Sequence, residues 1–288
     1  MLGYTIDSNN LGDMYQHLCG DVLTRGAARL VRGYETTEFV GAHLILTEPK
    51  SSIIDTPERN LNKAFQVAEM IWILSGSDDL DTIAYYNKNM RKFSDDGKVL
   101  AGAYGPRLKP QFKYALECLK SDHGTRQAVM TIWTPNPARS KDIPCTVMMQ
   151  LIRSDNKLDM VVYMRSNDIY LGLPYDISTF TMIQLLFARE LGLEPGIYHH
   201  MVGSLHAYKS DYEKIKSIAK ALSYSRAWPE IGDCGFGMLA LIDQLKLMEK
   251  DIRARGDPRY LWPKSPFMSY CAAVLKLWRD KKYANALN

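Results

Sequence analysis

The chain is poor in cysteine, nearly balanced in charge, and has no long apolar run. Its five cysteines (Cys19, Cys118, Cys145, Cys234, Cys271) are scattered through 288 residues, odd in number and never in a C-x-x-C pair. That excludes a disulfide scaffold and a structural zinc site, and points to a reducing, cytosolic setting. The most apolar stretch, Met182 to Leu193, is broken by Arg189 and Glu190 and is far too short to span a bilayer. The N-terminal residues Met1 to Asn10 are polar and lack the basic-then-apolar order of a signal peptide. The expectation is a soluble cytoplasmic protein with no membrane partner and no metal. Thirty-six Lys plus Arg against 32 Asp plus Glu leave a formal charge of only +4. That is too little for a nucleic-acid coat, though it suits a pocket for small anions. No tandem repeat, low-complexity tract or linker divides the sequence.

What is present is an ordinary globular composition, 46% hydrophobic and 24% charged. Helical and strand-like periodicities alternate, so the fold class is α/β or α+β. Asn10 to Leu23 reads as a helix that ends near Arg25-Gly26, and Phe39 to Thr47 as a strand. Asn60 to Leu74 is a longer helical pattern, with Leu61, Phe65, Ala68, Ile71 and Trp72 at helical spacing. Glu69 sits among those apolar residues. The plainer reading is a carboxylate edging out to water; the other is a perturbed carboxylate placed for proton transfer.

Thr146 to Ser166 is the most informative segment. Two strand-like runs, Val147 to Ile152 and Lys157 to Arg165, flank the turn residues Ser154-Asp155-Asn156. With Asp155-Asn156 at the centre, Cys145 falls opposite Ser166, next to Arg165. A thiol beside a guanidinium is the arrangement that favours the thiolate and makes a nucleophile. A polar loop, Ser166 to Asp176, then feeds a helix from about Ile177 to Leu191, with Asp176 or Ser178 as its N-cap. His199 and His200 are adjacent, so their side chains diverge on a strand. With no acid at ligand spacing, neither they nor His206 make a metal site.

Five motifs in order, from Glu69 to Tyr208, resemble the thymidylate synthase family. Pro144-Cys145 with Gln150 resembles its nucleophile motif. Arg165-Ser166-Asn167-Asp168 through Leu171-Gly172-Leu173-Pro174-Tyr175-Asp176-Ile177 resembles its R-S-x-D-x-x-L-G-x-P-F-N-I signature. Gly203 to Tyr208 is similar to its G-D-x-H-x-Y element, Glu69 with Trp72 to its E-x-x-W stretch, and Ala103-Tyr104-Gly105 to its V-Y-G. The resemblance implies one catalytic domain over 1–288, divergent after about 212: a mixed α/β sandwich on a twisted sheet, with two copies packed sheet to sheet. It implies one-carbon transfer from 5,10-methylenetetrahydrofolate to C5 of a pyrimidine nucleoside monophosphate. Cys145 would be the nucleophile and Glu69 the proton manager. Arg165, Ser166, Arg126, Arg32, His206, Tyr208 and Tyr104 would bind the nucleotide, with Arg126 reaching across the dimer. Asp168, Trp72 and Gly172 would hold the folate.

Three departures shape the expectation. The family's uracil-reading asparagine is Asp176 here, and a carboxyl suits cytosine's amine and N3 better. The histidine that follows the nucleophile is Thr146. The family's tryptophan pair ahead of V-Y-G is absent from Tyr85 to Phe93, and the last residues, Ala284 to Asn288, lack the apolar tail that seals the folate. A less sealed pocket favours water over hydride at the exocyclic carbon. The expected enzyme is therefore a deoxycytidylate 5-hydroxymethyltransferase, with a 5-methyltransferase as its rival. CMP or dUMP as substrate, a non-catalytic nucleotide-binding relative and a Cys145–His206 hydrolase stay open.

Overall fold

The computed structural model describes residues 3–135, 137–257 and 265–286. In chain order the elements are β1 (Thr5–Ser8), α1 (Leu11–Arg25), β2 (Ala27–Val31), β3 (Tyr34–Leu46), β4 (Ile53–Ile54), α2 (Lys63–Leu74), α3 (Leu80–Tyr86), α4 (Gly105–Ser121), β5 (Val129–Thr131), β6 (Thr146–Ser154), β7 (Lys157–Asp168), α5 (Leu173–Leu191), β8 (Glu194–Tyr208), α6 (Tyr212–Lys220), β9 (Ser225–Arg226), α7 (Met238–Arg255) and α8 (Pro266–Ala286). They gather into two compact units. One comprises 1–61, 112–135 and 145–227, the other 62–111, 136–144 and 228–288. Each draws on three separate segments, so no linker in the sequence marks the division.

The first unit is built on a seven-stranded mixed sheet in the order β1-β3-β8-β7-β6-β5, with β2 folded back onto β3. β7 and β8 run parallel at its centre. The alternation that the sequence shows in β7 is real: Leu158, Met160, Val162 and Met164 point inward and are fully buried, with charged or part-exposed residues between them. α5 covers β7 and β8, and its Phe187 meets Phe112 edge-on at 5.6 Å between ring centres. Each such side chain contributes on the order of 1.5–3 kcal/mol by leaving water. The β2–β3 hairpin turns on Arg32 and Gly33, both with positive φ, a conformation glycine adopts freely and arginine does not.

The second unit is mainly helical. α2 packs against α3, α7 and α8, and of its residues only Lys63 and Glu69 are not buried. Its interior carries a buried polar cluster: the Tyr86 hydroxyl donates to Glu249 Oε1 at 2.9 Å, and Arg253 Nε donates to the same oxygen at 2.7 Å.

Three sequence expectations change. α2 begins at Lys63 rather than Asn60, because Asn60 takes a positive φ after a 3-10 turn over Pro57–Arg59 and Asn62 caps the helix through Phe65 N–H. α5 begins at Leu173 rather than Ile177. Pro174 stands in its first turn, where a missing N–H costs nothing, and Gly172 is the residue that precedes the helix. Asp176 and Ser178 are therefore not N-caps. Finally, β6 carries a bulge between Thr146 and Met148: Met148 faces Tyr163, but Thr146 faces Met164. One residue is absorbed, and Cys145 lies opposite Arg165 instead of Ser166.

Candidate active site

The bulge residue, Val147, turns its carbonyl toward β5 and accepts two amides, Ile132 N–H at 2.9 Å and Trp133 N–H at 3.1 Å. Just before it stands Cys145, part-buried, whose carbonyl accepts Arg165 N–H at 2.9 Å. The Arg165 guanidinium reaches 3.7 Å from Cys145 Sγ and lies 5.6 Å from the Trp133 ring centre. The predicted thiol–guanidinium pair is thus present, and the bulge makes it closer than a regular ladder would. Trp133 was not singled out from the sequence; only its position two residues beyond β5 could have suggested it.

The connection from β7 to α5 is tight. Asp168 Oδ1 accepts both Tyr170 N–H at 2.8 Å and Leu171 N–H at 2.9 Å, so this carboxylate builds the turn it sits in. Burial is the main influence on it and pushes its pKa up. Gly172 follows, and a Cβ there would stand 3.1 Å from Asp176 Oδ2 and 3.2 Å from Asn167 Nδ2. Those two atoms are themselves bonded at 2.8 Å. Asp176 is part-buried as a residue, but its carboxyl group is enclosed, and desolvation pushes it up to about 7 against the pull of the Asn167 amide. Behind it a chain of buried groups continues: His200 Nε2 to Asn167 Oδ1 at 3.0 Å, and Tyr198 Oη to His200 Nδ1 at 2.8 Å. Asn167, His200 and Tyr198 had no assigned role in the sequence, because their contacts cross two strands and a helix start.

The underside of the turn is held by Arg59, which the sequence also did not reveal. It is buried, donates to the Tyr170 carbonyl at 2.8 Å, and lies 4.6 Å and 5.7 Å from the Tyr170 and Tyr175 ring centres. Along the β7–β8 register Ser166 faces Ser204 and Asp168 faces His206. His206 and Tyr208 stack edge-on at 5.1 Å. Glu38, buried on β3, accepts from Ser204 Oγ at 2.7 Å and pairs with Arg29 at 2.5 Å. Arg32 is exposed at the hairpin tip. Arg126 is exposed before β5, its carbonyl accepting from Gln150, and its side chain makes no ion pair among the described residues.

In the second unit Glu69 is part-exposed on an otherwise buried stretch of α2. Trp72 is 5% exposed, and its indole N–H donates to the Asp79 carbonyl at 3.0 Å. Tyr104 opens α4, where its carbonyl accepts Arg107 and Leu108 N–H.

Among the described residues no group of three or more His, Cys, Asp or Glu could hold a metal, and no helix is long and apolar enough to cross a membrane. The C-terminal tail falls partly on Leu287 and Asn288, outside the described residues. Compared with known proteins, residues 13–231 match the family model described as thymidylate synthase. The chain is 33% identical over 229 residues to a deoxyuridylate hydroxymethyltransferase of Bacillus phage SP01, covering 73% of this chain and 60% of that protein. It is 31% identical over 186 residues to one of Pseudomonas phage M6, covering 61% and 53%. The chain thus spans somewhat over half the length of these two relatives.

Proposed function

Because the chain belongs to the thymidylate synthase family, we propose that it transfers a one-carbon unit from methylenetetrahydrofolate to C5 of a pyrimidine nucleoside monophosphate, with deoxycytidylate as the nucleotide and its 5-hydroxymethyl derivative as the product. Cys145 is the nucleophile. C5 of a pyrimidine reacts poorly until a thiolate adds at C6, and Arg165 at 3.7 Å favours the anion. Arg165, Ser166 and Arg32 serve the phosphate, where guanidinium forks and hydroxyls suit a dianion. His206 and Tyr208 serve the sugar, and Tyr104 is assigned to the nucleotide as well. The folate, a co-substrate, brings the methylene group; Asp168, Gly172 and Trp72 are assigned to it, and Glu69 relays protons through water.

One observation carries the choice of base: Asp176 stands where the family has asparagine. Its carboxyl, pushed up to about 7, offers one donor and one acceptor in its neutral form. Cytosine presents N3 as acceptor and its amine as donor, and the neutral carboxyl satisfies both when its proton is on the oxygen that faces N3. The second reading is deoxyuridylate, which the printed names of the two phage relatives favour. Those names also favour water over hydride in the last step, as does the lack of tryptophan between Tyr85 and Phe93.

The site is completed by a second copy of the chain, packed sheet to sheet, with Arg126 reaching into the partner's site. Tyr163 and Met201, register neighbours on β7 and β8, support this: they are 39% and 40% exposed. The deciding experiment incubates the protein with methylenetetrahydrofolate and dCMP, CMP or dUMP in turn, in labelled water, and weighs the products. The expected product is 5-hydroxymethyl-dCMP carrying the solvent oxygen, with no dihydrofolate. A 5-methyl product with stoichiometric dihydrofolate makes the protein a methyltransferase, and turnover of dUMP alone makes the base assignment wrong.

A further inference from the structure

A neutral carboxyl does not by itself choose between the two bases. With its proton on one oxygen it fits cytosine; with the proton on the other it fits uracil, whose N3–H donates and whose O4 accepts. Something has to fix the proton, and the structure supplies a chain of neutral groups that can. Tyr198 is fully buried, and among the described residues its hydroxyl has one hydrogen-bond partner, His200 Nδ1 at 2.8 Å. A buried hydroxyl proton needs an acceptor, so Tyr198 donates. His200 is also fully buried, and desolvation lowers it to about 3, so it is neutral with a single N–H. Since Nδ1 accepts, that proton is on Nε2, and it donates to Asn167 Oδ1 at 3.0 Å. The Asn167 amide is thereby oriented, with Nδ2 donating to Asp176 Oδ2 at 2.8 Å. The reverse polarity would strand the Tyr198 proton.

We propose that Asn167, oriented by His200 and Tyr198, is a positioning residue that confines the Asp176 proton to Oδ1 and so sets which pyrimidine base the site accepts. An oxygen that already receives an amide N–H is the carbonyl-type oxygen of the acid, and the hydroxyl is then the other one. Gly172 leaves the space in which the amide and carboxyl meet, since a Cβ there would press on both atoms. The inference rests on the reading that Asp176 faces the base.

The test compares kcat/KM for dCMP and dUMP, together with equilibrium binding of each nucleotide without folate, in the wild type and in Asn167→Ala, Tyr198→Phe and Asp176→Asn. Asn167→Ala should shrink the discrimination between the two bases by at least about tenfold. Tyr198→Phe, which keeps the ring and frees the histidine tautomer, should shrink it by a smaller factor, roughly threefold or more. The pH profile supplies a readout that a merely structural role would not move. The Asn167 amide lowers Asp176, while Asp168 on the turn raises it and Tyr198 and neutral His200 line the β8 side. Removing the amide should move the descending limb of dCMP binding to higher pH. If Asp176→Asn alters discrimination while Asn167→Ala and Tyr198→Phe both leave the ratio and the limb unchanged, the positioning role is overturned and the base reading stands. If Asp176→Asn changes nothing, the base reading itself fails. Should Asn167→Ala not fold, Tyr198→Phe decides alone.

Discussion

Two carboxyls held in polar networks, Glu249 in the second unit and Asp176 in the first, are treated in opposite ways. Glu249, in the second unit, is met by a cation: Arg253 at 2.7 Å, with the Tyr86 hydroxyl at 2.9 Å. Among the described residues Asp176, in the first, is met by the neutral amide of Asn167, and behind that by a neutral histidine and a tyrosine. A charge compensated by a fixed countercharge is settled, and its surroundings push the Tyr86 hydroxyl far above its ordinary range. A carboxyl without a countercharge is left near neutrality, where it can donate or accept. The first arrangement holds structure together; the second keeps a chemical choice open.

This contrast predicts that damage to the first unit's network falls on activity and damage to the second's on stability. The largest expected effect is at the proposed nucleophile. Cys145→Ala should lower turnover by about four orders of magnitude or more while the thermal midpoint barely moves; tritium release from C5-labelled nucleotide is the assay. Substantial residual turnover would remove Cys145 from the mechanism. Glu249→Ala should do the reverse, destabilising the fold by roughly 3–5 kcal/mol because Arg253 loses its buried partner. Urea denaturation measures it, and a loss under about 1 kcal/mol would show that the cluster is not holding the helices.

Asp176→Asn should sit between these extremes. The fold should tolerate the isosteric change, and preference should move from dCMP toward dUMP by about tenfold or more in relative kcat/KM. The last effect is on the pH dependence of stability. Asp176 is raised on folding from 3.8 to about 7. A group raised on folding binds its proton more tightly in the native state, so its stabilisation is full below pH 4 or so and is lost as pH climbs through about 7. The urea midpoint of the wild type should therefore fall relative to Asp176→Asn between pH 5 and pH 8. Parallel curves would mean that the carboxyl is ionised throughout.

Short-range chemistry was legible in the sequence. The Ser154-Asp155-Asn156 turn fixed the β6–β7 hairpin, and the ladder from Ser154 to Met148 runs as counted. α1 ends at Arg25, as its pattern implies. What the sequence hid was long-range. A bulge leaves no residue signature, so the sequence reading sets Cys145 opposite Ser166, one position along β7 from Arg165. Pro174 could have signalled an earlier start of α5, but the polar character of the segment favoured a loop. Arg59 reads as an ordinary surface charge until the fold buries it under Tyr170. The Tyr198–His200–Asn167 chain depends on the β7–β8 register, which no local pattern specifies.

The bulge at Val147 has a consequence for how Cys145 is aimed. Successive strand residues point to opposite faces, so a surplus residue left in the ladder would invert every side chain beyond it. Here the bulge takes it out of the count: Met148 faces Tyr163, Thr146 faces Met164, and Cys145 stays opposite Arg165. Deleting Val147 would make the ladder regular and leave those pairings in place. What it would remove is the carbonyl that accepts Ile132 and Trp133 N–H, and so the tether that sets Trp133 beside the Arg165 guanidinium. The surplus residue therefore serves the neighbouring segment rather than the strand it sits in: it is a peg driven sideways out of the ladder, to which the chain beyond β5 is tied.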